Sequence, residues 1–336
     1  MPVIDVRDED SESRLVSVAP MMDWTDSHCR YFMRLLSPRV RLYTEMVVAK
    51  AILNGDRDRL LAYDPSEHPV ALQLGGSDPE DLAAATQMAQ AYGYDEFNLN
   101  IGCPSDRVQS GQFGACLMAE PQRVSDCVAA MSTTTDQPVT VKTRIGIDDF
   151  DSYDFLTTFI ETVMQSGCHI FIVHARKAIL EGLSPKENRS IPPLKYETVY
   201  RLKRDFPDLT VVLNGGIGSV SEVRSHLDQV DGVMIGRKAY SDPYLLAELH
   251  QQPGFYSGTG WHPPSRFEVV RSMADYARKH IAGGARLHHI TRHMLGLFSG
   301  QPAARRWRRF LTEEGQKPDA DHQVLLDSLS VFDRAA

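Results

Sequence analysis

Short apolar runs rich in β-branched residues recur along the chain, each long enough for one strand. They are Val16–Met21, Val40–Glu45, Val70–Leu74, Phe97–Ile101, Val139–Thr143, Ile170–His174, Val211–Asn214 and Val233–Gly236. Helical stretches lie between them, at Pro79–Ala91, Pro121–Met131, Tyr153–Ser166, Lys195–Asp205 and Val220–Gln229. Pro79 and Pro121 sit near helix starts, and Gly93 and Gly167 near helix ends, as helix start and stop chemistry prefers. Eight strands with intervening helices predict an α/β fold, a (β/α)8 TIM barrel. An open doubly wound sheet would carry a GxGxxG turn after its first strand. Ala19-Pro20-Met21-Met22 stands there instead.

After Gln251 the pattern changes. Residues 251–265 are rich in Gly, Pro and Ser and read as a linker. Beyond them the apolar period becomes 3.6: Val270, Met273, Ala274, Ala277 and Ile281; Leu287, Ile290, Met294 and Phe298; Ala303, Trp307, Phe310 and Leu311; Leu325, Leu329 and Phe332. The expected organisation is an acidic extension over 1–14, a barrel over 15–250, the linker, and a small helical bundle over 266–336. The bundle is basic. From His262 onward 12 Lys and Arg face 8 Asp and Glu, while the rest of the chain carries a net −12. An acidic body with a basic tail points to an anionic partner for the tail.

Composition narrows the class further. No apolar run approaches the ~20 residues of a membrane helix, and the acidic N-terminus does not read as a signal peptide. Five scattered cysteines without CxxC spacing argue against a zinc site or a disulfide framework, so no metal and a reduced, cytoplasmic setting are expected.

In a barrel of this kind the chemistry sits at the C-terminal ends of the strands. Those ends read Pro20-Met21-Met22, Glu45, Gln73, Asn98/Asn100/Cys103, Lys142/Arg144, His174, Asn214-Gly215-Gly216 and Gly236-Arg237. Any one of these residues has a structural explanation. Eight polar ends on one rim do not, because each desolvated polar group left without a partner costs ~1–3 kcal/mol. Cys103 ends its strand just before Pro104, with Gly111 and Gly114 following in a glycine-rich loop. Glycines after strands seven and eight, with Arg237, suit a phosphate. Lys142 is compatible with a Schiff base, but with Cys103, Gln73 and His174 facing one centre it better suits a planar heterocycle such as flavin mononucleotide. Gln73 then serves the pyrimidine edge, Lys142 the charge of the reduced ring, and His174 the ring edge or phosphate.

The phrases Ala19-Pro-Met-Met-Asp-Trp-Thr-Asp26, Asn98-Leu-Asn-Ile-Gly-Cys-Pro-Ser105 and Asn214-Gly-Gly-Ile217 resemble the tRNA-dihydrouridine synthases, over most of the chain. Leu183-Ser-Pro-Lys-Glu-Asn-Arg189 is similar to the A subfamily, which acts on uridines 20 and 20a of the D-loop. The resemblance implies an FMN barrel with a tRNA-binding helical domain and NADPH as reductant. It places Pro20, Met21, Met22, Gln73, Lys142, His174, Asn214, Gly215, Gly216, Gly236 and Arg237 around FMN. Cys103 takes the catalytic position and Asn100 one near the target nucleotide. The implied chemistry reduces the C5–C6 bond of uridine, with an acid protonating C5. A thiol of ordinary pKa, about 8.5, keeps its proton at neutral pH and suits that task. Arg305 and Arg308 share a helix face and are expected to meet tRNA phosphates, with Trp307 in the bundle core. Lys177, Lys186 and Arg189 approach from the barrel side. Two rivals are a flavin barrel acting on a small pyrimidine, like a dihydroorotate dehydrogenase, and a non-catalytic tRNA-binding protein. The first needs no Arg-rich appendix, and the second no polar rim.

Overall fold

The computed structural model describes residues 14–105, 108, 111–256 and 261–333. The expected acidic extension lies outside these residues except for Arg14, as do positions 257–260 of the expected linker. One parallel sheet contains β1 (Val16–Val18), β2 (Arg41–Tyr43), β3 (Val47–Val48), β4 (Val70–Gly75), β5 (Glu96–Ile101), β6 (Val139–Arg144), β7 (Ile170–His174), β8 (Thr210–Asn214) and β9 (Gly232–Ile235). Its order is β2-β1-β9-β8-β7-β6-β5-β4-β3, and β2 also pairs with β4, which closes it into the expected eight-stave barrel.

The second stave is broken, contrary to the single run Val40–Glu45 read from the sequence. The Thr44 hydroxyl accepts the Gln73 N–H at 3.0 Å, where a regular ladder would use a backbone carbonyl. The ladder lapses there and resumes as β3 beside β4. Glu45, in the break, accepts the Asp23 N–H at 2.5 Å and so holds the loop after β1.

Alternation sorts the strand residues into two layers. Phe97, Leu99 and Ile101 of β5 join the large outer core with the surrounding helices, while Glu96, Asn98 and Asn100 have the opposite parity. Inside the barrel a separate apolar cluster of Ala19, Tyr43, Ala71, Ile172, Val212 and Met234 lies beneath the rim. The predicted helices are present at Pro79–Gln90, Pro121–Ser132, Tyr153–Met164, Tyr196–Asp205 and Val220–Leu227. Gly93 and Gly167 follow the first and third with φ of 78° and 85°, the left-handed backbone in which glycine has no Cβ penalty.

A further helix, Ser27–Leu36, follows β1 and is capped by the Asp26 carboxylate, which accepts the Cys29 N–H at 2.9 Å. Its buried side includes two arginines. Arg30 pairs with Glu67 at 2.6 Å, and Arg34 donates to the carbonyls of Glu67 and Pro69.

The C-terminal helices are Arg266–Ala282, Leu287–Thr291, Ala304–Gly315, Gln323–Asp327 and Ser330–Asp333. Met273, Ala277, Met294, Phe298, Trp307 and Leu311 are buried among them, and Trp307 donates to the Ser328 hydroxyl at 3.0 Å. The stripe Leu287–Phe298 is not one helix; the helical segment stops at Thr291 and the apolar residues continue through turns. These helices pack directly on Ser27–Leu36. Tyr276 stacks on Tyr31 with centroids 4.0 Å apart, and Arg292 and His293 reach the Asp26 carboxylate at 2.6 and 3.0 Å. Among the described residues no helix is long and apolar enough to cross a membrane.

Candidate active site

Pro104 ends the β5 ladder, and the backbone of Cys103 just before it is held from both sides. The Asn100 Oδ1 accepts the N–H groups of Gly102 and Cys103 at 3.0 and 2.9 Å. The Cys103 carbonyl accepts the Ala115 N–H at 2.9 Å. That second contact requires glycine at 114, where φ is 79° and a Cβ would stand 2.6 Å from the Cys103 oxygen. The thiol is half-buried, with Ser105 Oγ at 3.5 Å. Cys116 is also half-buried, but its sulfur faces the Phe113 carbonyl at 3.2 Å and burial pushes its thiol pKa up.

Strand register brings the other rim residues alongside. Asn100 is opposite Lys142, Arg144 opposite His174, and His174 opposite Asn214. Lys142 donates to the Asn214 Oδ1 at 3.1 Å; burial first, then Arg144, push its ammonium down to about 7. Burial, with Arg144, Lys142, Arg176 and Arg237 around it, holds His174 well below the ordinary imidazole range. Its ring is therefore neutral at pH 7, and its buried Nδ1 has no hydrogen-bond partner among the described residues. Arg144 is 4% exposed and clamps three loop carbonyls, of Gly102, Lys177 and Asn188, at 2.8, 3.0 and 3.2 Å. It ties the Cys103 turn to the long loop after β7. Four cations thus surround a neutral imidazole, an arrangement suited to an anion.

The glycines at the ends of β8 and β9 differ in kind. Gly215 and Gly216 have φ of 125° and 74°, and a Cβ on either would meet Leu194 at 2.9 or 2.7 Å. Gly236 has neither constraint; its nearest neighbour for a Cβ is Ala19 at 3.8 Å. The space beside it is open. Arg237 is exposed and donates to the Arg189 carbonyl at 3.1 Å.

Residues 17–333 match the family model described as dihydrouridine synthase. The chain belongs to the dihydrouridine synthase family. The tRNA-dihydrouridine(20/20a) synthase of Vibrio parahaemolyticus is 58% identical over 316 residues, 94% of this chain and 96% of that protein. The protein of the same name from Shewanella oneidensis is 56% identical over 96% of this chain and 95% of its own length. The Escherichia coli K12 protein of that name is 58% identical over 94% and 90%. Among solved structures, a 2-naphthoyl-CoA reductase complex with 2-naphthoyl-CoA aligns at TM-score 0.54 and 8% identity. It covers 70% of this chain and 49% of the other, a likeness of fold alone.

Of the residues expected to serve a dihydrouridine synthase, the structure gathers Gln73, Asn100, Cys103, Lys142, His174, Asn214, Gly215, Gly216, Gly236 and Arg237 at one end of the barrel. Pro20 and Met21 follow β1 at that end, half-buried, with Met22 54% exposed. Lys186 and Arg189 lie in the loop after β7, both exposed. Lys177 in that loop is tied to the Asp148 carbonyl at 2.7 Å and to Asp151 at 3.2 Å, rather than reaching outward. Arg305 and Arg308 are on the exposed side of Ala304–Gly315. Sequence reasoning missed the clamps: Arg144 as a loop holder, Arg176 and Asn188 within the loop, and Glu96 beneath the rim. An acidic residue in phase with Asn98 and Asn100 was the available signal for Glu96.

Proposed function

We propose that this dihydrouridine synthase reduces uridines 20 and 20a in the D-loop of tRNA, with FMN as cofactor, NADPH as reductant and Cys103 as proton donor. The names of the relatives, tRNA-dihydrouridine(20/20a) synthases, support the nucleotide positions. The observation that carries the cofactor is the pairing of an orphaned buried His174 Nδ1 with the open space at Gly236, inside a ring of cations. The residues present fit a flavin with one phosphate. Gln73, Lys142, Asn214 and His174 would hold the ring, and Gly215, Gly216, Gly236 and Arg237 the phosphate end, with Pro20–Met22 beside them. FMN bound there supplies the two-electron chemistry for the C5–C6 bond.

The protein's own part is to hold a proton and keep it in place. Cys103, fixed through its N–H and its carbonyl, presents Sγ–H to C5 of the base. His174 stays neutral and is kept from competing as an acid. Lys142 offers positive charge beside the ring site. The target nucleotide must be unstacked to reach this rim, costing a few kcal/mol. Phosphate contacts from Lys186, Arg189 and the helical segment 266–336, through Arg305 and Arg308, supply binding energy for that. The cytoplasm, where thiols stay reduced and tRNA is found, is the proposed compartment.

Cys103→Ala tests the assignment. The variant should fold, retain FMN and accept electrons from NADPH at a near-normal rate. Oxidation of its reduced flavin by tRNA should slow by about two to four orders of magnitude, as expected for a lost general acid. Cys116→Ala should change that step far less. A Cys103→Ala protein that modifies tRNA at the wild-type rate would eliminate the thiol as donor.

A further inference from the structure

A chain of hydrogen bonds descends from the Cys103 turn to the floor of the barrel, and every bond in it points the same way. Asn100 Nδ2 donates to Gln73 Oε1 at 2.9 Å, and Gln73 Nε2 to Asn98 Oδ1 at 2.8 Å. Asn98 Nδ2 donates to the Thr140 hydroxyl at 2.8 Å, and that hydroxyl to Glu96 Oε1 at 2.6 Å. All but Asn100 are buried, at 0–1% exposure. We propose that Glu96 is a positioning residue for Cys103, because it fixes the direction of this chain and so the orientation of the three amides above it.

The direction follows from what each end is able to do. A carboxylate only accepts, so Thr140 must donate to it and accept from Asn98. Asn98 must then turn its oxygen to Gln73, and Gln73 its oxygen to Asn100. Asn100 is left with Oδ1 facing upward, where the N–H groups of Gly102 and Cys103 only donate. Obligate acceptor and obligate donors thus close the two ends of one polarised path, and reversing any amide sets like groups against each other. Glu96 keeps its charge in this buried place because Arg14 and Arg41 pair with it and Tyr43 donates to it at 2.7 Å. Burial opposes ionisation, yet the two arginines outweigh it and the pKa lies below the ordinary carboxylate value. Such aligned bonds strengthen one another, and a break at one link is felt at the next. The sequence shows none of this, because the path crosses β4, β5 and β6 through register rather than along the chain.

The inference rests on the role proposed above for Cys103, and its test separates the two. Thr140→Val keeps the shape of the lowest neutral link but can neither donate nor accept; Thr140→Ser keeps the hydroxyl. In flavin-free protein, iodoacetamide alkylation of Cys103, followed peptide by peptide in a mass spectrometer, reports how the turn is held without cofactor or tRNA. Thr140→Val should alkylate Cys103 at least about threefold faster than wild type, and its tRNA-dependent flavin oxidation should slow about tenfold, the scale of one lost hydrogen bond. Reduction of its flavin by NADPH should stay within about twofold, and Thr140→Ser should restore both affected rates. Glu96→Gln, whose amide can reverse the lowest link, should behave like Thr140→Val; if it does not fold, the Thr140 pair decides alone. Wild-type alkylation of Cys103 in Thr140→Val would overturn the proposal. So would a Thr140→Ser variant as impaired as Thr140→Val, since packing rather than the hydroxyl would then be responsible. Altered alkylation with no tRNA activity in any form would leave the positioning intact and refute the reaction.

Discussion

Lys142 carries the clearest electrostatic cost in the molecule. An unfolded lysine holds its proton to about 10.5, the folded one to about 7. Between those values the unfolded chain binds the extra proton, so stability rises with pH across that window and the full cost is present below 7. Lys142→Met should therefore stabilise the flavin-free protein at pH 6.5, by about 1–3 kcal/mol. The gain should fade as the pH approaches 10, and paired thermal melts across that range read it directly. A gain that stays constant with pH would mean the charge is not the cost. Gly236 permits a complementary test, since a Cβ there would meet nothing nearer than Ala19 at 3.8 Å. Gly236→Ala should weaken FMN binding in a fluorescence titration by a larger factor than it lowers flavin-free stability. Equal loss of both would mark the position as structural.

At the scale of elements, the turn after β5 depends on the segment that follows it. Gly114→Ala forces a side chain into left-handed backbone and against the Cys103 carbonyl. It should lower stability by about 1–3 kcal/mol, read by denaturant unfolding, and a midpoint equal to wild type would show that the segment adapts. The elements themselves were largely legible in the sequence. Strand runs and helix caps lie within the chain's own period, so the barrel and its rim could be read from Val70–Leu74, Phe97–Ile101 and their neighbours. The break at Thr44 could not, because a side-chain hydroxyl replaced a ladder acceptor two strands' sequence away. Nor did hydropathy reveal Ser27–Leu36, whose inward positions include Arg30 and Arg34. The site divides the same way: residues that end strands were visible, and residues that brace them from other strands or loops were not.

For the whole molecule, charge is divided between an acidic body and a basic C-terminal region. Arg305 and Arg308 are exposed one turn apart, while neighbouring Arg309 is paired with Glu313 at 2.7 Å. Replacing Arg305 and Arg308 with alanine should weaken tRNA binding and flatten its dependence on salt concentration, by up to about two units of slope. NADPH-driven flavin reduction should be unaffected. An unchanged slope would place the contact surface elsewhere on the protein.

The docking of the last helices on Ser27–Leu36 has a consequence for how the chain is made. That helix leaves the ribosome some 240 residues before the first of the residues that cover it, Tyr276, Arg292 and His293. While synthesis runs through the eight staves, Tyr31 and His28 wait with no cover. A nascent barrel in that interval has an aromatic face to offer to a chaperone or to another copy of itself. Polypeptides cut before Arg266 should thus precipitate on expression, and supplying residues 261–336 as a separate chain should return them to the supernatant.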